Sequence, residues 1–211
     1  MVFAAHKNRI QYISLVLFYL VLFAVCVFAS DDEAAENREY KIKAAFIYNF
    51  IKTVEWPPEH FEDANAIVVG IIGRNPFGDA FKPLENKVVK DKHLVFRVFK
   101  GPSENNNEDS DEQQQMFDVE GIRLCHILFI CSSEAGHIDE IITAVKEYPV
   151  LTVSEVDGFL SAGGIINFVP GLNQPVFDIN LAASRKVGLT ISSKLLRIAS
   201  SVIDEEPESE K

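Results

Sequence analysis

Cysteine is scarce in this 211-residue chain, with three in all, at positions 26, 125 and 131. A disulfide-built scaffold is excluded, because such scaffolds are short chains dense in cysteine. Positive charge is also short, with 20 Lys and Arg against 31 Asp and Glu and a formal net charge of −11. No run of adjacent basic residues breaks this balance, so the chain lacks the electrostatic footprint of a nucleic-acid binder. Catalytic signatures are missing too. There is no G-x-S-x-G elbow, H-E-x-x-H, P-loop, G-x-G-x-x-G or C-x-x-C. His60, His93, His126 and His137 are scattered and never at metal-ligand spacing. A receiver-type phosphorylation pocket needs acids where its first strands end, and here Ile71-Ile72 runs into Gly73-Arg74. Only one stretch is apolar enough to cross a bilayer, which excludes a multi-span membrane protein. What remains is 47% hydrophobic and 24% charged, enough for a real globular core.

The N-terminus reads as an export signal. His6, Lys7 and Arg9 precede an apolar run from Ile10 to Phe28, broken by Gln11 and Ser14. Val27-Phe28-Ala29 offers modest and small residues at −3 and −1 of a cut after Ala29, and Asp31, Asp32 and Glu33 follow. This order matches a secretory signal over residues 1–29, with a linker over 30–38. The alternative is an uncleaved membrane anchor, since about 19 residues of helix can span a bilayer core. Either reading places the body outside the cytoplasm. Cleavage removes two positive charges, leaving 18 against 31. It also leaves two cysteines, in Cys125-His-Ile-Leu-Phe-Ile-Cys131. In a fully extended strand these lie about 20 Å apart, beyond the roughly 7 Å between Cα atoms that a disulfide tolerates. Either both thiols are buried and reduced, or the strand is shorter and one end curls back.

Along the body, helix and strand signals alternate. Residues 36–54 read as a helix with Ile42, Phe46, Asn49, Phe50 and Thr53 on one face, ended by Trp56-Pro57-Pro58. Ala66–Ile72 is a continuous apolar run, the mark of a strand covered on both sides. A short helix is expected over 77–84, strands over 87–89, 94–99 and 125–131, a helix over 134–148 with Ile138, Ile141, Ile142 and Val145 inward, and a strand over 150–153. Residues 165–169 and 175–179 flank Pro170-Gly-Leu-Asn-Gln174 as an antiparallel hairpin. Residues 180–187 suggest a helix stopping at Gly188. Ser192 caps a last helix expected to reach Ile203, with Leu195, Leu196, Ile198, Ala199 and Val202 as its stripe. Ser103 to Gln115 carries no apolar side chain and reads as a polar loop insertion. Residues 204–211 form a charged tail. The class predicted is α/β: a mostly parallel central sheet, helices on both faces and a C-terminal antiparallel hairpin. Ser192-Ser193-Lys194 reads as a helix cap rather than a nucleophile pair, and Gly163-Gly164 as a turn rather than a phosphate cradle.

Several segments then stand together: Lys43-Ala-Ala-Phe-Ile-Tyr-Asn-Phe-Ile-Lys-Thr-Val-Glu-Trp-Pro57, Asn75-Pro-Phe-Gly78, Cys125-His-Ile-Leu-Phe-Ile130 and Val150-Leu-Thr-Val-Ser154. Gly163-Gly-Ile-Ile-Asn-Phe168, Phe177-Asp-Ile-Asn180 and Ile191-Ser-Ser-Lys-Leu-Leu196 complete the set. In order and spacing they resemble the YfiR-like family (the DUF4154 domain) across residues 39–203. The resemblance implies a periplasmic, non-enzymatic domain without cofactor or metal. It further implies binding to the periplasmic sensor region of an inner-membrane signalling protein, a diguanylate cyclase or sensor kinase, which it represses. That would lower cyclic-di-GMP and restrain biofilm formation. A homodimer is implied by the same analogy. Redox control through Cys125 and Cys131, suggested for such domains, rests here on only two cysteines. The insertion at 103–115 departs from the family pattern.

Read from the residues alone, the first helix has more apolar positions than one core face requires. Tyr40, Ile47, Tyr48 and Ile51 are candidates for a dimer or partner surface, the alternative being that both faces are buried. A small-ligand sensor would instead need a closed pocket, for which Asn167 and Asp178 beside the hairpin are candidates. A hydrolase with an unrecognised site would need a perturbed titratable cluster, and the sequence offers none.

Overall fold

The computed structural model describes residues 35–62, 64–105, 117–172 and 174–204. The expected signal segment, residues 30–34 of the linker, most of the polar insertion and the tail beyond Asp204 lie outside these. From residue 40 onward the chain forms one compact unit. Among the described residues no helix is long and apolar enough to cross a membrane.

The first helix, α1, is described over 35–53. Its inward face runs Tyr40, Lys43, Ala44, Ile47, Phe50 and Ile51, all buried, and continues into Val54. That face differs from the one expected. Ile42 and Thr53 are only half-buried and Asn49 is exposed. The winning stripe is the one at spacings of three and four that starts at Tyr40 and collects the larger apolar volume. Val54–Glu55 (β1) then forms a two-stranded antiparallel ribbon with Thr190–Ile191 (β9), and Pro58–Glu62 makes a short α2.

Among the described residues the central sheet has eight strands. Ala66–Ile72 (β2) lies third from one edge, flanked in parallel by Lys92–Phe99 (β4) and Ile127–Ile130 (β5). Leu151–Ser154 (β6) and Ile166–Val169 (β7) continue the parallel array beyond β5. Val88–Val89 (β3) pairs antiparallel with β4 at one edge. Val176–Asn180 (β8) pairs antiparallel with β7, the hairpin that the sequence predicts. Gly70, mid-strand in β2, is required by close packing: a Cβ there would lie 2.6 Å from Cys125 Sγ.

Two cores lie on opposite faces of the sheet. One gathers α1, Trp56, Phe77 and Phe81 over Ile67, Phe129, Phe168 and Phe177. The other packs α3 (Val119–Arg123) and α4 (Ile138–Val145) over Leu128 and Ile130. All four expected inward residues of α4 are buried. Its expected N-terminal part is instead a 3-10 segment, Ser132–His137. The short helix expected over 77–84 is reduced to a turn and a 3-10 segment, Lys82–Leu84.

The C-terminal end corrects the sequence reading most. Asn180 caps α5 (Leu181–Lys186) through its side chain, and Ser192 caps α6 (Ser193–Ile198) in the same way. The helix predicted to reach Ile203 stops at Ala199, and Ser201–Ile203 becomes a strand, β10, parallel to β8. Only Leu195 of α6 is buried, while Ile198 is 60% exposed. Ser200 and Ser201, poorer helix formers than Ala or Leu, resist unwinding weakly. The open edge of β8 offers backbone bonds instead, beginning with Ser200 N–H to the Phe177 carbonyl at 2.8 Å.

Truncating Phe50 to Ala, inside the α1 face and fully buried, is expected to cost about 3–5 kcal/mol. Ile198→Ala, at an exposed position, is expected to cost less than about 0.5 kcal/mol. Urea midpoints measure both, and similar losses for the two would contradict the packing described.

Candidate functional site

The C-terminal ends of β2 and β5 form a topological switch point, where the chain order reverses and where open α/β sheets place their ligands. Here the position is filled by the protein itself. Glu134, in the 3-10 segment after β5, is fully buried. Its carboxylate accepts from Ser103 N–H at 3.0 Å, from Ser103 Oγ and from Ser133 Oγ at 2.9 Å. Gly101 makes room for it, since a Cβ there would lie 2.2 Å from the Glu134 carboxyl carbon. The first residue of the polar insertion is therefore pinned to the domain rather than loose.

Beside it, Lys43 of α1 pairs with Glu155, just past the end of β6. Glu155 also accepts from Tyr40 Oη at 2.8 Å, and Lys43 Nζ lies 4.5 Å from the Tyr40 ring centre. Lys43 is 4% exposed. At such burial each charge needs the other, and removing one partner leaves an uncompensated ion. One faint signal of this arrangement is legible in the residues, a lysine one turn from Tyr40 and Ile47 on the buried face.

These contacts settle where the predicted surface residues lie. Ile47 and Ile51 have no exposed area and Tyr40 has 8%, so their side chains belong to the core and not to a partner surface. Tyr48 is the one of the four that is only half-buried, and Lys52 and Lys87 lie over its ring at 5.4 and 5.3 Å. The sheet takes up the Ile47 and Ile51 side chains, while Lys41, Ala45, Asn49 and Lys52 are exposed, so one face of α1 is buried and not both.

Asn167 and Asp178 do meet, directly opposite each other across the β7–β8 ladder. The Oδ1 atom of each is buried without a hydrogen-bond partner. Neither lines the cavity in this part of the fold. That cavity, of about 520 Å³, opens between α4, the turn at 160–163, α5 and the end of β10. Its wall is mainly apolar, with Ile142, Val145, Leu160, Ile165 and Val187, and exposed Lys146 and Lys186 lie on it. Its buried polar groups serve the fold. Thr152 Oγ1 accepts from Ile165 N–H at 3.1 Å, and Asn180 Nδ2 donates to the Leu160 carbonyl at 3.1 Å. No local pattern announces it, because its lining comes from separate segments of the chain.

Cys125 and Cys131 are free and buried. They belong to the two different cores, Cys125 with Leu128 and Ile130, Cys131 with Ile127 and Phe129. Burial pushes both thiols up to about 12. As placed they are core residues, not a redox pair.

The histidines form the other perturbed cluster. His126 is 2% exposed. Its Nδ1 accepts from Val68 N–H and its carbonyl from Trp56 Nε1, each at 3.2 Å. With Nδ1 accepting, the neutral ring carries its proton on Nε2, the wrong form for ligating a metal through that atom. The His60 ring centre lies 5.0 Å away. Among the described residues no group of three or more His, Cys, Asp or Glu is placed to hold a metal ion. Desolvation, with His60 and then Lys92 nearby, pulls His126 down to about 4.

Among the described residues the domain is a mainly parallel α/β sheet of eight strands with an apolar cavity, and the buried Glu134 and the Lys43–Glu155 pair bind its own chain. The chain belongs to the YfiR/HmsC-like family, whose model matches residues 40–200. No curated protein sequence matches it. One similar solved structure is a conserved domain protein from Vibrio cholerae O1 biovar El Tor, at 12% identity and a TM-score of 0.44. The likeness covers 69% of this chain and 57% of that one, so the chain spans little more than half its length.

Two measurements check the site. The unfolded chain protonates His126 near pH 6.5 and the folded one near 4. The stability its neutral ring supplies is whole above pH 6.5 and is lost as pH falls towards 4, by up to about 3 kcal/mol. The His126 ring resonances should therefore hold constant through pH 6 while the urea midpoint declines, and a ring titrating near 6.5 would contradict the burial. Both thiols should resist a thiol-reactive dye in the folded protein and react only on unfolding. Prompt native labelling would contradict their placement.

Proposed function

We propose that this chain is an exported regulatory domain that docks on the periplasmic sensor region of an inner-membrane signalling protein of the diguanylate cyclase type and represses it. The family match over residues 40–200 carries this reading, since YfiR-like domains are periplasmic regulators. The basic, apolar N-terminal segment supports export. Two features of the domain agree with a role by contact. Its most strongly shifted groups, His126, Cys125 and Cys131, are shifted chiefly by burial in the core. Its strongest polar network, around Glu134, is satisfied internally. Repression lowers cyclic-di-GMP and restrains biofilm formation. A homodimer is the expected assembly of the repressing form.

A second reading, a periplasmic small-ligand sensor, draws on the cavity of about 520 Å³, a size that suits a small organic molecule. The two are compatible if the ligand sets the affinity for the partner.

Deleting the gene should raise cellular cyclic-di-GMP and surface attachment, and an exported copy should restore both while a copy lacking residues 1–29 should not. Unchanged cyclic-di-GMP on deletion, or full rescue from the cytoplasm, would overturn the proposal.

A further inference from the structure

Strand β4 is covered on one side along its whole length and on the other side only at its beginning. Its inner edge pairs with β2 from His93 to Phe99. On the outer edge β3 reaches only Lys92 and His93, and one more bond runs from Leu94 N–H to the Lys87 carbonyl at 3.0 Å. Backbone groups alternate along a strand. Leu94 points its N–H outward, so Phe96 and Val98 do the same, while the Phe99 carbonyl points inward and accepts from Gly73 N–H at 3.0 Å. Among the described residues no strand pairs with β4 beyond Leu94 on that side. The Val98 side chain is 60% exposed and Arg97 is exposed beside it.

The charge of this edge opposes that of the rest of the chain. Residues 87–100 contain Lys87, Lys90, Lys92, Arg97 and Lys100 with Asp91 as their only acid, while the remaining residues hold 15 Lys and Arg against 30 Asp and Glu. A second copy laid along this edge would set like charges against each other, which is unfavourable in a ladder. An acidic strand meets complementary charge and a row of open backbone groups.

We infer that the outer edge of β4, from Leu94 to Phe99, is a docking site for an extended acidic segment of a partner protein, which adds to the sheet as a further strand. The inference rests on the reading of this chain as a partner-binding domain and names the surface. Backbone pairing at Phe96 and Val98 supplies the affinity. Arg97 and the exposed Lys100 select the sign of the partner, while Lys90 and Lys92 donate to the Val54 and Ala64 carbonyls and Lys87 lies over the Tyr48 ring, so these three add only background charge. Lysines on an edge also guard against aggregation, and an edge that serves only for protection accepts no strand at all.

The test uses the purified protein and two synthetic nine-residue probes, one alternating Val and Thr with Glu, the other the same peptide with Lys in place of Glu. The acidic probe should slow amide exchange at Phe96 and Val98 by about tenfold or more, and the basic probe should not. Val98→Pro removes an outward N–H that the fold does not use, so the variant should keep the wild-type urea midpoint and lose the acidic probe. Arg97→Glu, a change of exposed charge, should weaken the acidic probe and admit the basic one. No binding, equal binding of both probes, protection elsewhere in the sheet, or unaltered selectivity in Arg97→Glu would overturn the edge. None of these results bears on cyclic-di-GMP after gene deletion, which tests the regulatory reading separately.

Discussion

The contact between the rings of Phe46 and Phe50 on α1 and those of Phe168 and Phe177 on the β7–β8 hairpin holds the two ends of this fold together. Phe50 meets Phe177 edge-on at 5.1 Å and Phe168 at 6.0 Å, and Phe46 lies 5.4 Å from Phe177. Residues more than a hundred positions apart are joined by it. Closing so long a loop costs entropy that local structure cannot return, and the large buried area of four rings offsets it. Once α1 is seated, Lys43 reaches Glu155, Val54 pairs with Ile191, and Trp56 reaches the carbonyl of His126.

Three of the segments that carry the family resemblance meet at this contact: the first helix, Gly163–Phe168 and Phe177–Asn180. They are built from rings and small residues in fixed order because they must interlock. The domain's buried charges follow the same logic. Glu134 ties the loops after β4 and β5 together, and Glu155 ties α1 to the end of β6. The switch-point crevice, where a related sheet could hold a ligand, is closed by the chain's own side chains. Space remains at the opposite end of the strands, in the apolar cavity, and along the sheet edges.

Much of the fold was legible wherever one kind of residue dominated a segment. Ala66–Ile72 is apolar throughout and became an interior strand of the sheet. Ile138, Ile141, Ile142 and Val145 repeat at helical spacing and turned inward. Pro170 to Gln174 between two apolar runs marked the hairpin. Legibility failed where two answers were locally equal. The first helix is apolar on more than one side, and only the sheet beneath it decides that Ile47 and Ile51 are core while Ile42 is not. The end of α6 is a balance between weak helix and an open strand edge, where Ser201 pairs with Asp178 far back in the chain, which no local pattern records. The site residues suffered most. Asn167 and Asp178 were brought face to face as cross-strand neighbours, yet the cavity formed elsewhere. Glu134 and Glu155 looked like ordinary surface acids until loops from distant segments closed over them.

The central claim is that this domain works by holding a membrane signalling protein from outside the cytoplasm. Co-purification from solubilised membranes, with the tagged, exported protein as bait, tests it most directly. The account predicts that an inner-membrane protein carrying a periplasmic sensor region and a cyclase output domain is retained in stoichiometric amount. Recovery of the domain alone, with every such membrane protein in the unbound fraction, would contradict it.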